Sequence, residues 1–198
     1  QLSLQGDGCG KVRVDGSNKS LPWSRWYPRD QIVNLRALAC GCWDFDRWTG
    51  AVNSSSLEVN VNMSTDRQLL AHFEQPTYAI SGYVRKSNGS GIGGVIMSGL
   101  PGDPVTSSNG SYSATVTCGW SGRVTPTHSC YTFSPSYRDY SNVTSNRSDN
   151  YTGTQKSYTI SGCVRTSSGS GIGGVTMSGL PGNPVTSSNG SYNATVTC

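Results

Sequence analysis

The stretch YAISGYVRKSNGSGIGGVIMSGLPGDPVTSSNGSYSATVTC occupies residues 78–118, and a near-copy, YTISGCVRTSSGSGIGGVTMSGLPGNPVTSSNGSYNATVTC, occupies residues 158–198. The two stretches are identical at 34 of 41 positions, at a constant offset of 80 residues. A fixed period of this kind is the signature of a repeat architecture. It predicts three segments: a module of another kind at 1–75, a full repeat at 76–157, and the first half of a second repeat at 158–198.

Turn and strand signals inside the repeat predict β-structure. Asn109-Gly110 stands between two strand-like runs and predicts a hairpin whose two turn residues both take positive φ. After this turn, apolar and polar residues alternate, which places one inward set in each copy: Tyr112, Ala114, Val116 and Cys118, and then Tyr192, Ala194, Val196 and Cys198. Asn193 falls on the outward face. Six or seven short strands in about 80 residues predict a small β-sandwich.

The first 75 residues also contain strand candidates, and the whole chain is therefore predicted to be all-β. Residues 31–39 fit a short helix capped by Asp30, but their alternation favours a strand. The candidate strands are 11–14, 31–39, 43–48, 57–63 and 68–74.

Composition narrows the function. Only 13% of residues are charged, the net charge is +4, and no run of Lys or Arg is present, which argues against nucleic-acid binding. No apolar run approaches the roughly 20 residues of a membrane span. Seven cysteines indicate an oxidising, extracellular location. Asn-x-Ser/Thr motifs mark surface positions and candidate glycosylation sites: Asn18, Asn53, Asn62, Asn88, Asn109, Asn142, Asn146, Asn150, Asn189 and Asn193.

Residues 6–75 resemble a divergent internalin B-type B-repeat of bacterial surface and secreted proteins. The phrases GDGCGKVRVDG (6–16), VNLRALACGCWDFDRWTG (33–50) and MSTDRQLLAHFEQ (63–75) carry the resemblance. The residues that match the family pattern are Phe45, Trp48, Gly50, Ala71 and Phe73. This resemblance implies a β-grasp-like spacer or adhesion module without catalytic residues. The cysteines at 9, 40 and 42 depart from the family pattern.

Residues 78–155 resemble the Ig-like and carboxypeptidase-regulatory-like repeats of large bacterial extracellular proteins. The phrases ISGYVR, GIGGVIMSGLPG, SSNGSYSATVTCGWSGRVTPT and YTFSPSYRDYSNVTSN carry this resemblance. It implies a β-sandwich used in tandem as a stalk, adhesin or appended module, and it implies no ligand.

Each of the seven cysteines is a disulfide candidate: Cys9, Cys40, Cys42, Cys118, Cys130, Cys163 and Cys198. We expect Cys9 to pair with Cys40 or Cys42, which leaves the other as a thiol that either reaches a neighbouring chain or stays buried and unpaired. Cys118 is expected to pair with Cys130 around a short loop. Cys163 is expected to pair with Cys198, unless one of them bridges to another subunit.

Signals for catalysis or metal binding are weak. Neither His72 nor His128 lies in a recognisable hydrolase motif, so an enzyme would need a pocket that joins one of them to a carboxylate and a nucleophile. A zinc site formed by Cys9, Cys40, Cys42 and His72 lacks the usual spacing, and a disulfide is preferred. Asp44 and Asp46 share a predicted face but lack a calcium-loop pattern. We expect no enzyme activity, metal or cofactor.

Aromatic residues crowd the first segment, where an exposed pair would suit a sugar ligand. Trp48 is expected in the core, whereas Trp23 and Trp26 are possible sugar contacts. The sequence therefore predicts a non-enzymatic structural protein of a bacterial surface stalk, adhesin or filament. It would associate with copies of itself, by strand complementation of its incomplete repeat, and with surface glycans. The alternative is a carbohydrate-binding accessory region of a large secreted hydrolase.

Overall fold

The computed structural model describes all residues from Gln1 to Cys198, and it contains strands, turns and bends without any helix. The predicted all-β class is confirmed. None of its segments is a helix of the length and apolarity that crossing a membrane requires. The chain forms two compact units. Unit 1 comprises Gln1–Ser81, Ser113–Arg123 and Asp139–Ser148, and unit 2 comprises Gly82–Tyr112, Val124–Arg138 and Asp149–Cys198. The three predicted segments remain a prediction from the sequence.

Eight strands form the first part of the chain: β1 (Leu2–Asp7), β2 (Gly10–Val14), β3 (Ser17–Ser20), β4 (Trp23–Arg25), β5 (Ile32–Ala39), β6 (Asp44–Gly50), β7 (Glu58–Asn62) and β8 (Arg67–Glu74). They make two four-stranded sheets, in the orders β4-β1-β8-β6 and β3-β2-β5-β7. All five candidate strands are present. Because Val33, Leu35 and Ala37 alternate with exposed residues, β5 is a strand and not the Asp30-capped helix.

The inner faces of these two sheets share one hydrophobic core. Alternating residues of β1, β2, β5 and β8 supply it, and Trp48 is the largest side chain that is fully buried there. The predicted core position of Trp48 is confirmed. β1 and β8 run parallel, so Leu2 and Leu4 lie beside Arg67 and Leu69 at the centre of their sheet. The opposite face of this sheet presents polar residues to solvent.

The first repeat contains eight strands, counting one of two residues: β9 (Thr77–Arg85), β10 (Ile96–Ser98), β11 (Ser111–Thr117), β12 (Trp120–Thr127), β13 (Tyr131–Ser134), β14 (Arg138–Val143), β15 (Arg147–Ser148) and β16 (Tyr151–Gln155). One sheet has the order β11-β9-β16-β13, with β15 also paired to β9, and another has the order β10-β12-β14. The inward set of β11 is buried as predicted. β9 therefore has neighbours on both of its edges.

The Asn-Gly turn forms, but its geometry differs from the prediction. Gly110 N–H donates to the Ser107 carbonyl at 2.8 Å, so the central turn residues are Ser108 and Asn109. Only Gly110 has a positive φ, of 82°. Asn109 contributes through its side chain, whose Oδ1 accepts a hydrogen bond from Ser111 N–H at 2.9 Å. The turn is thus of the three-residue type, in which Ser108 and Asn109 are followed by the left-handed Gly110, and not a turn with two positive φ values.

The second repeat has two strands, β17 (Ser157–Cys163) and β18 (Ser191–Thr197), which pair antiparallel in a two-stranded sheet. The intervening loop copies that of the first repeat. Thr106 and Thr186 are each 4% exposed, and each hydroxyl donates at 2.7 Å to the carbonyl of an isoleucine 14 residues earlier in the chain. Asn193 faces outward, as predicted.

Candidate functional site

Six of the seven cysteines form three disulfides, and Cys163 is free and exposed. Cys9 pairs with Cys40, one of the two partners that the sequence allowed, with Cα atoms 5.6 Å apart. Cys42 pairs with Cys118 within unit 1, and Cys130 pairs with Cys198 within unit 2. Their Cα distances, 5.6 and 5.3 Å, lie in the range for a disulfide.

Three sequence expectations about these cysteines are wrong. Cys42 is not left over as a thiol, Cys118 does not pair with Cys130, and Cys198 does not pair with Cys163. The reason is that the cysteine after the inward strand of each repeat lies beside the residue that precedes the first strand of the same repeat. There it is close to a cysteine from an earlier part of the chain. Whether Cys163 bridges to another subunit remains a prediction.

The disulfides Cys42–Cys118 and Cys130–Cys198 belong to a repeated arrangement, and we call these two arrangements the staples. In the first staple, Cys118 N–H donates to the Pro76 carbonyl at 2.8 Å, and the Gln75 side-chain amide donates to the Cys118 carbonyl at 2.9 Å. In the second, Cys198 N–H donates to the Lys156 carbonyl at 3.1 Å, and the Gln155 side-chain amide donates to the Cys198 carbonyl.

The equivalence of Cys118 and Cys198 was a usable signal that sequence reasoning missed. Both cysteines follow Gln75 and Gln155 at the same spacing of 43 residues. Equivalent cysteines should have equivalent partners. A disulfide that only one of the two repeats could form is therefore excluded. The partners themselves, Cys42 and Cys130, stand at unequal spacings of 76 and 68 residues, so no periodicity reveals them.

The second repeat has an open edge and an open inner face. β17 has a neighbour on one edge only, whereas its counterpart β9 has neighbours on both. Ile80 is fully buried in the first repeat, and the equivalent Ile160 is 41% exposed. Ile92 and Ile172 differ in the same way, at 4% and 36%. The threonine hydrogen bonds of the loop are formed in both repeats, although Ile172 is more exposed than Ile92.

The outward face of the β1-β8-β6 sheet brings together three polar side chains. His72 Nδ1 lies 2.7 Å from Asp7 Oδ2, and His72 Nε2 lies 2.7 Å from Thr49 Oγ1. The other oxygen of Asp7 accepts Phe73 N–H at 3.1 Å, which fixes the carboxylate. With Nδ1–H donating to Asp7, the Nε2 lone pair faces the hydroxyl proton of Thr49, so His72 can act as a base towards it. This Thr49–His72–Asp7 relay adjoins a shallow depression of about 190 Å³ lined by Ser3, Gln5, Thr49, Gly50, Gln68, Leu69 and Leu70.

The other candidate chemical groups serve structural roles. His128 Nδ1 accepts Cys130 N–H at 3.0 Å, and its ring lies edge-on to Tyr131. A β-bulge interrupts the register between Phe45 and Arg47, and Asp46 forms an ion pair with Arg47. No group of three or more His, Cys, Asp or Glu residues is arranged to hold a metal ion.

The two tryptophans proposed as sugar contacts have different environments. Trp23 packs partly buried against the hydrophobic core, whereas Trp26 is 72% exposed. A sugar-binding platform would therefore depend on Trp26 without Trp23, and sugar binding stays a prediction.

All ten asparagines of the glycosylation motifs are exposed. Several of their side chains make hydrogen bonds with the backbone: Asn146 Oδ1 accepts Ala79 N–H at 2.9 Å, and Asn150 Oδ1 accepts Tyr83 N–H at 2.8 Å. These two asparagines therefore hold the edge of β9. Whether any of the ten carries a glycan stays a prediction.

No family model and no curated protein matches this chain. Among solved structures, the fold is similar to that of the Bacillus anthracis TIE protein, with a TM-score of 0.56 and 9% sequence identity over 99% of this chain. The chain spans 43% of that protein's length. A Streptococcal ancillary pilin aligns with 99% of this chain and 86% of its own, at a TM-score of 0.38 and 12% identity. The likeness to the TIE protein is one of fold.

Proposed function

We propose that this chain is a structural unit of an extracellular bacterial filament or stalk. The observation that carries this proposal is the repeated staple, in which a disulfide-bonded cysteine and the glutamine hydrogen bond to its carbonyl recur 80 residues further along the chain. A disulfide framework belongs to an oxidising compartment. In a chain under tension, such bonds carry load past the strands that they enclose, which is what a stalk requires.

Copies of this chain are the proposed partners, and the open second repeat is the proposed place of assembly. An unpaired strand edge with exposed apolar residues favours pairing with another polypeptide. Head-to-tail contacts whose rotation does not close into a ring produce filaments.

Electron microscopy of native surface material, beside a non-reducing gel, tests the proposal. We expect filaments that bind an antibody against this chain at regular intervals along their length. Antibody label found only on dispersed, monomeric material would contradict the proposal. A reduced gel of the same sample serves as the control for disulfide linkage between chains.

A second candidate function is acyl transfer, and the Thr49–His72–Asp7 relay favours it. A nucleophile hydrogen-bonded to a base that a carboxylate orients is the arrangement of hydrolytic triads. Thr49 Oγ would attack an ester carbonyl, its proton would pass to His72 Nε2, and that proton would leave with the alcohol. The side-chain amides of Gln5 and Gln68, in the adjoining depression, are the candidate donors to the oxyanion.

Incubation with an activated acetate ester, followed by mass spectrometry, tests this second candidate. We expect acetylation at Thr49 that is lost in Thr49→Val and reduced at least about tenfold in His72→Gln. Ser3→Ala is the matched control, because it lines the same depression outside the relay. Equal labelling in His72→Gln would exclude the relay as a catalytic group.

A further inference from the structure

The outward face of the β3-β2-β5-β7 sheet carries a row of four polar side chains, one from each strand. Arg13 on β2 lies opposite Asn18 on β3 and opposite Arg36 on β5. Arg36 in turn lies opposite Glu58 on β7. All four residues are exposed. Because neighbouring strands lie about 4.8 Å apart, the row is about 14 Å long.

The middle of this row places two positive charges directly opposite each other. Like charges at opposed positions of an antiparallel pair destabilise a sheet, so the Arg13–Arg36 pair costs stability in the absence of an anion between them. Lys11 adds a third exposed cation on the same face. The sequence shows no run of Lys or Arg here, because a buried valine separates Lys11 from Arg13 and Arg36 comes from another strand.

The outer neighbours of the two arginines hold their side chains. Arg13 Nε donates to Asn18 Oδ1 at 3.2 Å, and Arg36 Nη1 donates to Glu58 Oε1 at 2.8 Å. No carboxylate pairs with Lys11 or with Arg13. Each guanidinium has five N–H donors, so both arginines keep donors for a ligand. A planar donor set of this kind matches the two oxygens of a carboxylate.

Neutral polar groups lie beside the three cations. Asn34 Nδ2 donates to Asn60 Oδ1 at 3.1 Å, which leaves the Asn34 side-chain oxygen as an acceptor and an amide N–H of Asn60 as a donor. Ser20 lies opposite Lys11 on the other side of the row. The nearby Asp15 carboxylate accepts Asn34 N–H at 3.0 Å. Amides and a hydroxyl next to cations suit a ligand that bears both hydroxyl groups and negative charges.

We propose that this cationic face, defined by Lys11, Arg13 and Arg36, binds an extracellular acidic polysaccharide whose sugars carry carboxylate groups. The inference goes beyond the proposed function, because it adds an attachment site to a structural unit. One carboxylate of the polymer lies between Arg13 and Arg36 and relieves their repulsion, and a second contacts Lys11. Sugar hydroxyls bind Asn34 and Asn60.

The residues of the face favour a polysaccharide over a nucleic acid. The four strands contain no aromatic residue, so no ring is present on which a base could stack. The three disulfides also indicate an oxidising, extracellular compartment, in which acidic polysaccharides are abundant polyanions.

Binding of the full chain to immobilised polygalacturonate, a chain of carboxylate-bearing sugars, tests the site by biolayer interferometry. We expect saturable binding that neutral dextran does not show. Raising the salt concentration from about 50 to about 200 mM should weaken binding at least about tenfold, because binding by three cations releases the counterions of the polymer. Equal binding to dextran, or tighter binding to double-stranded DNA, would contradict the proposal.

Protein variants locate the binding to this face. The double variant Arg13→Gln/Arg36→Gln should weaken binding at least about fivefold and reduce the slope of log affinity against log salt by about two. Glu58→Gln should tighten binding, because it removes the carboxylate that competes for Arg36. Arg165→Gln is the matched control with unchanged affinity, since it removes one exposed positive charge from unit 2.

Thermal unfolding separates a binding role from a structural one. Arg13→Gln removes the repulsion from Arg36, so we expect its melting temperature to equal or exceed that of the native protein. A fall of more than about 3 °C would show that the arginine stabilises the sheet and would overturn the site. Unchanged binding in the double variant, or an equal loss in Arg165→Gln, would overturn it as well. Filaments in native material would leave the proposed function standing in each of these cases.

Discussion

Thr106 illustrates how one hydroxyl organises a loop. It is 4% exposed, accepts Val95 N–H at 2.9 Å and donates to the Ile92 carbonyl at 2.7 Å. Thr186 makes the same two bonds in the second repeat. The hydroxyl therefore links two parts of the loop 92–106.

Replacing Thr106 by valine should lower the free energy of unfolding by about 1–3 kcal/mol, because two buried backbone groups lose their partner. Urea denaturation measures this change. Thr115→Val, at an exposed position of β11, is the control and should change stability by less than about 0.5 kcal/mol. A loss of that small size in Thr106→Val would show that water or a neighbour replaces the hydroxyl.

Because of Tyr112, the free energy of unfolding depends on pH in the alkaline range. Burial, and then the neighbouring Tyr151 and Asp149, raise the pKa of Tyr112 above its ordinary value of 10.0. The unfolded chain therefore releases this proton more readily than the folded chain. The stabilisation is complete below pH 10 and is lost as the pH rises towards the folded pKa.

We expect the free energy of unfolding to fall between pH 9 and pH 11 in the native protein, and to fall less in Tyr112→Phe. Urea denaturation at several pH values within the range in which the native fold persists gives the comparison. An identical pH dependence in both proteins would contradict the role of Tyr112. At pH 8 the variant should lose about 1 kcal/mol through its missing hydrogen bond to Asp149.

At the scale of the strand, the two repeats provide a comparison within one chain. β9 and β17 differ at three of their seven shared positions, 77/157, 79/159 and 83/163, yet one is covered and the other is open. Closely similar local sequence therefore gives the same strand and the same turn, while burial depends on the neighbouring strand.

Ile80→Lys and Ile160→Lys should differ sharply because of this neighbour. The first places a charge at a fully buried position and should lower the free energy of unfolding by about 3 kcal/mol or more. The second, at a position 41% exposed, should lower it by less than about 1 kcal/mol. Guanidinium denaturation of both variants measures the difference, and equal losses would mean that Ile160 is covered in solution.

The strands were the part of the fold most open to sequence analysis. Alternation located β5, β7 and β11, because a half-buried sheet imposes a period of two. β1 was missed although Leu2 and Leu4 alternate with polar residues, since a short run beside Gly6 and Gly8 gives a weak signal. Asn109 was assigned the wrong backbone conformation, because the Asn-Gly pair occurs in more than one turn type and its side chain decided between them.

At the scale of the molecule, the three disulfides divide the chain into enclosed and open stretches. Sequence separations of 31, 76 and 68 residues lie between paired cysteines. Under tension between the chain ends, force passes through each disulfide and bypasses the residues that it encloses. Most of the polypeptide is therefore protected from extension.

Single-molecule extension should show this directly. At about 3.4 Å per residue, reduction should release about 260 Å from the Cys42–Cys118 segment and about 230 Å from the Cys130–Cys198 segment. A Cys42→Ser/Cys118→Ser double variant should release the first length alone without reductant. The same extended length with and without reductant would show that the disulfides do not carry the load.

Long-range pairing was beyond sequence analysis for a physical reason. The partner of a cysteine is set by the packing of segments that lie 68 or 76 residues apart, and no local period encodes that distance. The Thr49–His72–Asp7 relay was hidden in the same way. Its three residues come from three strands, and only the parallel pairing of β1 with β8 places Asp7 beside His72.

The Asn-Gly turns affect the rate at which this protein deamidates. Asparagine followed by glycine ordinarily deamidates fastest, because the glycine nitrogen attacks the asparagine side chain and closes a succinimide ring. Here Gly110 N–H and Gly190 N–H are each held at 2.8 Å by the carbonyls of Ser107 and Ser187. The side-chain oxygens of Asn109 and Asn189 are held by the backbone of Ser111 and Ser191 at 2.9 Å. Because nucleophile and target are both restrained, we expect these two of the chain's three Asn-Gly pairs to deamidate slowly for as long as the turns stay folded.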